Sequence, residues 1–151
     1  MQTLSPALLI PISVVFIAGV GFAVQAPLNA ALGRGIGGGV AAATISFGVG
    51  FVALVALTLV LGQGGALARA TSMSPLYWAG GLLGAVVVWS MLWSVPTIGI
   101  LTAFAALLLG QLSAALVLDA IGAFAAPVHA ITPTRVLALL MVAGGLILSR
   151  F

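Results

Sequence analysis

The sequence predicts an all-α integral membrane protein of five transmembrane helices, paired as an antiparallel dimer. Three observations carry this. The composition is 64% hydrophobic and only 3% charged, with a mean hydropathy of +1.42. A soluble domain carries about a quarter of its residues charged, so the solvent of this chain is lipid. The apolar residues fall into five unbroken runs near the length that a helix needs to cross a bilayer. The four basic residues, all arginines, divide evenly between the two faces that those runs define. Unbroken runs also argue against a β-barrel, whose strands alternate apolar and polar residues.

The first run covers residues 7–29 and the second residues 40–61. The third covers residues 76–95, the fourth 100–121 and the fifth 135–149. The fifth is short and must snorkel its flanking arginines or thin the bilayer locally. The segments 33–39 and 96–99 are expected as turns. The longer links are 62–75, with Arg69, and 122–133, with His129 and two prolines. None is long enough for a second domain, so residues 1–151 are expected as one five-helix domain. The first run lacks a basic flank and is too long for a signal peptide, and it is expected to be retained. Twenty glycines suit a membrane bundle, where small residues let helices approach closely.

Arg69 and Arg135 fall on the N-terminal side of these spans, and Arg34 and Arg150 on the other. This tie leaves no positive-inside bias. With an odd number of spans, insertion in both orientations generates an inverted repeat about an axis in the membrane plane, a recurring transporter architecture.

Each polar group within a span needs a partner, because hydrocarbon offers none. Gly21, Gln25 and Asn29 recur at four-residue spacing and share a helix face, and Pro27 removes the donor that would serve the Ala23 carbonyl. Two readings of Gln25 stand: a hydrogen bond to a neighbouring helix, or the wall of a substrate path. Asn29 is expected near the interface, where it can also cap a helix end. Thr44 and Ser46 lie in the first third of the second span, and such hydroxyls can bond their own backbone. In the third span Trp89, Ser90, Trp93 and Ser94 cover one broad face. Trp93 fits an interfacial belt; Trp89 is deeper, and its indole N–H calls for a cavity or the bundle. Gln111 sits mid-span behind Gly110. Asp119, the sole acid, is expected at headgroup level, paired with Arg69 or Arg135. Gln25, Asn29, Thr44, Ser46, Ser90 and Ser94 fall toward the side opposite the N-terminus, and Gln111 lies at mid-plane. A cavity completed only by a second, inverted copy is therefore expected, lined by Gln25, Asn29, Ser46, Trp89, Ser90 and Gln111.

The stretches QAPLNAALGR (25–34), AATISFGVG (42–50), WAGGLLG (78–84), GQLSAALVLD (110–119) and TPTR (132–135) cover most of the chain in order. Together they resemble a small five-helix bacterial membrane family of the drug/metabolite transporter superfamily, long of unknown function. The resemblance implies a multi-pass inner-membrane transporter, as an antiparallel homodimer or a heterodimer with a paralogue. It supplies no substrate. More distantly the chain is similar to the four-helix multidrug exporters of that superfamily, which rely on a membrane-embedded glutamate in the first helix. This chain has no glutamate. That departure argues against proton-coupled cation export and toward a polar neutral or zwitterionic solute, or a passive path.

The expected function is small-solute transport by alternating access. The rivals are a small anion or solute channel and a non-transporting partner subunit. An enzyme is not expected: there is no nucleophile–base pair, and His129 has no acid beside it in sequence. The charge is too sparse for a nucleic-acid surface. Without cysteine there is no thiolate metal site, and no cofactor is expected.

Overall fold

A computed structural model of the chain describes residues 6–151, and among these there are six α-helices. They are α1 (Pro6–Ile36), α2 (Gly39–Val60), α3 (Gly64–Arg69), α4 (Ala79–Ile98), α5 (Ile100–Ile121) and α6 (Pro133–Leu148). Short 3-10 turns cover Ala70–Ser72, Pro75–Trp78 and Ala123–Ala125. Four segments are long and apolar enough to cross a membrane: Leu9–Ile36, Gly39–Val60, Pro75–Ile98 and Ile100–Ile121. The shorter apolar helix α6 has 16 residues, about 24 Å at 1.5 Å per residue, against a hydrocarbon core of about 30 Å. Large apolar side chains face outward, with Phe16 71% and Val60 82% exposed. Such a surface is tolerable only in lipid, where outward apolar groups are solvated as well as inward ones.

The chain forms two compact units, one reaching Trp93 and the other starting at Ser94. In the first, α1 and α2 form a tight antiparallel hairpin. Its turn is set by Gly37, whose φ of +78° suits glycine. The Gly38 N–H donates to the Gly33 carbonyl at 2.9 Å, closing the end of α1. A Cβ on Gly33 would lie 3.1 Å from the Gly39 Cα and 3.6 Å from the Ala42 Cβ, so glycine is what allows the two helices to close. Ala42 is completely buried there.

In the second unit α5 and α6 form another hairpin. Thr132 caps α6, its Oγ1 accepting from the Arg135 N–H at 3.4 Å, and Pro133 supplies a preset φ at the first helical position. One end is tied by the ion pair of Asp119 with Arg135. At the other, the Thr102 hydroxyl donates to the Ser149 carbonyl at 3.4 Å, and the Ser149 hydroxyl, which donates to the Leu146 carbonyl at 2.7 Å, lies 3.2 Å from Thr102 Oγ1.

Several sequence expectations are corrected. The turn expected over 33–39 shrinks to Gly37 and Gly38, because α1 runs on through Gly33 and Arg34 to Ile36. Glycines extend a helix more readily in a membrane than in water, since the helix backbone has no competing solvent partner. The turn expected over 96–99 is only Gly99, at φ +81°; Pro96 stays within α4. The link 62–75 contains α3 and a 3-10 turn. Asn29 is neither near a helix end nor a cap, because the extension of α1 leaves it well inside the helix.

Candidate functional site

The closeness of the α1–α2 hairpin places Gln25 beside Ser46, and the Gln25 Nε2 donates to the Ser46 Oγ at 3.2 Å. One turn along α1, Asn29 is 6% exposed, and its side chain has no hydrogen-bond partner among the described residues. Gln25 and Asn29 line a narrow recess between α1 and α4, with Phe22 and Ala26 beside them and Val88, Met91 and Leu92 opposite. The space open to the centre of a water there is about 10 Å³, too little for a solute.

A neighbouring face of α4 is different. A groove of about 550 Å³ runs between Val40, Ala43, Thr44 and Phe47 of α2 and Leu82, Ala85, Val86 and Trp89 of α4. Its size falls in the range that holds small-molecule ligands. The lining is apolar: the Thr44 hydroxyl is already given to the Val40 carbonyl, at 3.0 Å. Phe47 and Trp89 supply aromatic walls from the two helices, and the Phe47 ring lies against Gly84.

The six residues singled out in the sequence therefore divide. Gln25 and Asn29 come together at the recess, and Ser46 meets Gln25 from α2. Trp89 lines the groove and is 52% exposed. The Ser90 hydroxyl donates to the Val87 carbonyl at 2.8 Å and so serves its own helix. Gln111 belongs to the second unit, where it is exposed and its side chain has no hydrogen-bond partner among the described residues. A Cβ on the adjacent Gly110 would meet nothing within 4 Å.

Asp119 has Arg135 as its partner, and both side chains are 36% exposed. The arginine also donates from Nη1 to the His129 carbonyl at 3.4 Å, while the His129 N–H donates to the Asp119 carbonyl at 2.9 Å. These contacts fold the link 122–133 back onto the end of α5. Sequence reasoning missed Phe47 and Leu82 as groove walls and Val88 and Met91 as recess walls. Apolar residues inside apolar runs carry no local signal. It also missed the pairing of Thr102 with Ser149, which are 47 positions apart.

The family described as "Putative inner membrane exporter, YdcZ", within the drug/metabolite transporters, matches residues 10–148. The chain belongs to this family. The match takes in every helix that is long enough to span, and with the four candidate spans it makes the protein an inner-membrane protein of exporter type. No curated protein and no solved structure matches the chain.

Proposed function

We propose that this YdcZ-family protein exports a small neutral or zwitterionic solute by alternating access, and that the working unit is two copies inserted in opposite orientations. The observation that carries the reading is Gln111. A mid-span amide left facing hydrocarbon is costly, and here it stands exposed beside an open glycine. An inverted copy brings a second Gln111 to the same mid-span level, so both amides can face a shared polar path in place of hydrocarbon. The evenly divided arginines permit both orientations. The groove between α2 and α4 offers room for a solute, with Phe47 and Trp89 to hold its apolar parts. The absence of any charge in that lining favours a neutral or zwitterionic cargo over a cation. Gln25, Asn29, Ser46 and Ser90 belong to the path in a state where the recess has opened.

A second reading has its own support. The bond between Gln25 and Ser46 is what a packing role for that pair would produce, and a non-transporting partner subunit needs nothing more. Gln111→Leu separates the two. It keeps the bulk and removes every donor and acceptor. If Gln111 lines the shared path, solute flux in proteoliposomes is abolished or changes preference, while dimer affinity in bilayers holds. Normal flux with a weakened dimer, by about 0.6 kcal/mol and at most about 1.7, would reduce Gln111 to interhelical packing.

A further inference from the structure

We infer that the recess between α1 and α4 is a binding site for a single ordered water, held by the Asn29 amide. Asn29 is 6% exposed, so more than nine-tenths of it is buried, yet its side-chain amide meets no protein partner among the described residues. Among the described residues no fully enclosed side-chain nitrogen or oxygen is left without a partner, so the Asn29 amide keeps a trace of accessible surface. Asn29 lines the recess together with Gln25, and part of the recess wall is polar.

The depth makes an occupant necessary. Val88, across the recess, lies near the middle of the Pro75–Ile98 span. Bulk water does not reach that level of a bilayer, and an amide without a partner there is strongly disfavoured. The size then selects the occupant. The centre of a water has about 10 Å³ in which to move, which is room for one molecule and for no solute. The chemistry agrees. Asn29 offers two N–H donors and a carbonyl, and Gln25, whose Nε2 is given to Ser46, keeps its Oε1 as an acceptor. A buried water typically makes about three hydrogen bonds, and these groups supply them. No ionised side chain lines the recess, so an ion would find no counter-charge. The remaining walls, Phe22, Ala26, Val88, Met91 and Leu92, are apolar and keep the water in one place. The water thus joins the two amides of α1 on the side that faces α4.

Asn29 is the sole asparagine in the sequence, so selective labelling gives one side-chain amide signal. The test is proton transfer from water to that amide, measured by solid-state NMR on the full chain in lipid bilayers. The Asn29 amide is expected to receive magnetisation from water despite its depth. Val88→Leu, which pushes a methylene into the recess, is expected to abolish that transfer while leaving the Asn29 signal in place. Ala26→Val makes the same test from α1 should Val88→Leu not fold. An unmodified chain whose Asn29 amide receives nothing, while the exposed Gln63 amide does, overturns the inference. So does a transfer that survives filling of the recess from either side.

Discussion

Two side-chain pairs carry most of the polar chemistry at residue scale, and they differ in kind. The Gln25–Ser46 bond is neutral and joins α1 to α2. Hydrogen bonds between membrane helices contribute about 0.6 kcal/mol on average and at most about 1.7. A double-mutant cycle on Gln25→Leu and Ser46→Ala, read by reversible unfolding in lipid, is expected to give a coupling in that range. The single Gln25→Leu leaves a serine that can turn to its own backbone, which keeps the cost small. The Asp119–Arg135 pair is ionic, and its two members are 36% exposed. Screening at that exposure holds its contribution to about 0.2–1 kcal/mol. Asp119→Asn is therefore expected to lower stability slightly and to leave flux within a few-fold, with an unchanged pH profile. A collapse of flux with the fold intact would assign Asp119 a coupling role instead. The sequence offered Arg69 and Arg135 as partners, and only the α5–α6 hairpin distinguishes them, by bringing the first residue past Thr132-Pro133-Thr134 back onto Asp119.

Glycines act at the scale of elements, and their context decides what each one does. Gly33 and Gly21 both lie inside α1, yet a Cβ on Gly33 would meet the Gly39 backbone at 3.1 Å and one on Gly21 would meet nothing within 4 Å. Backbone cannot swing aside as a side chain does. Gly33→Ala is expected to force α1 and α2 apart and cost about 1–3 kcal/mol, as overpacking does. Gly21→Ala is expected to be neutral or stabilising by up to about 1 kcal/mol, through helix propensity alone. Unfolding both variants in the same detergent checks the contrast; equal effects would mean that the hairpin does not depend on the close approach. Opening the α1–α2 crossing should also lengthen the Gln25–Ser46 contact, which lies farther along the same pair of helices.

The arginine count and the spans speak to the whole molecule. A single cysteine engineered near Phe151 is expected to label from both sides of intact cells in comparable amounts. Two or three added lysines on one side are expected to shift that ratio. Labelling from one side alone would remove dual insertion of this chain and leave pairing with an oppositely oriented paralogue. The same experiment bears on α6, whose 16 residues are short for a span: if α6 does not cross, the C-terminus stays on the side of Arg135.

Solvent class, helical content and the residues that cannot be idle were legible in the sequence, because hydrocarbon imposes its demands locally. A run of apolar residues is a span whatever it packs against, and Gln25, Asn29, Gln111 and Asp119 stand out because lipid offers a polar group no partner. Ends and partners were not legible. Gly33 and Pro96 look like breakers, yet both lie inside helices, since a membrane helix keeps its own hydrogen bonds where a soluble one would fray. Only the tertiary structure decided that Asn29 faces a recess of water size, that Ser90 serves its own helix, and that the roomy groove is apolar and walled by Phe47 and Trp89. In a chain that is apolar on every face, periodicity does not say which face meets a neighbour and which meets lipid. That choice is made by close approach and by the few polar groups that must find one another.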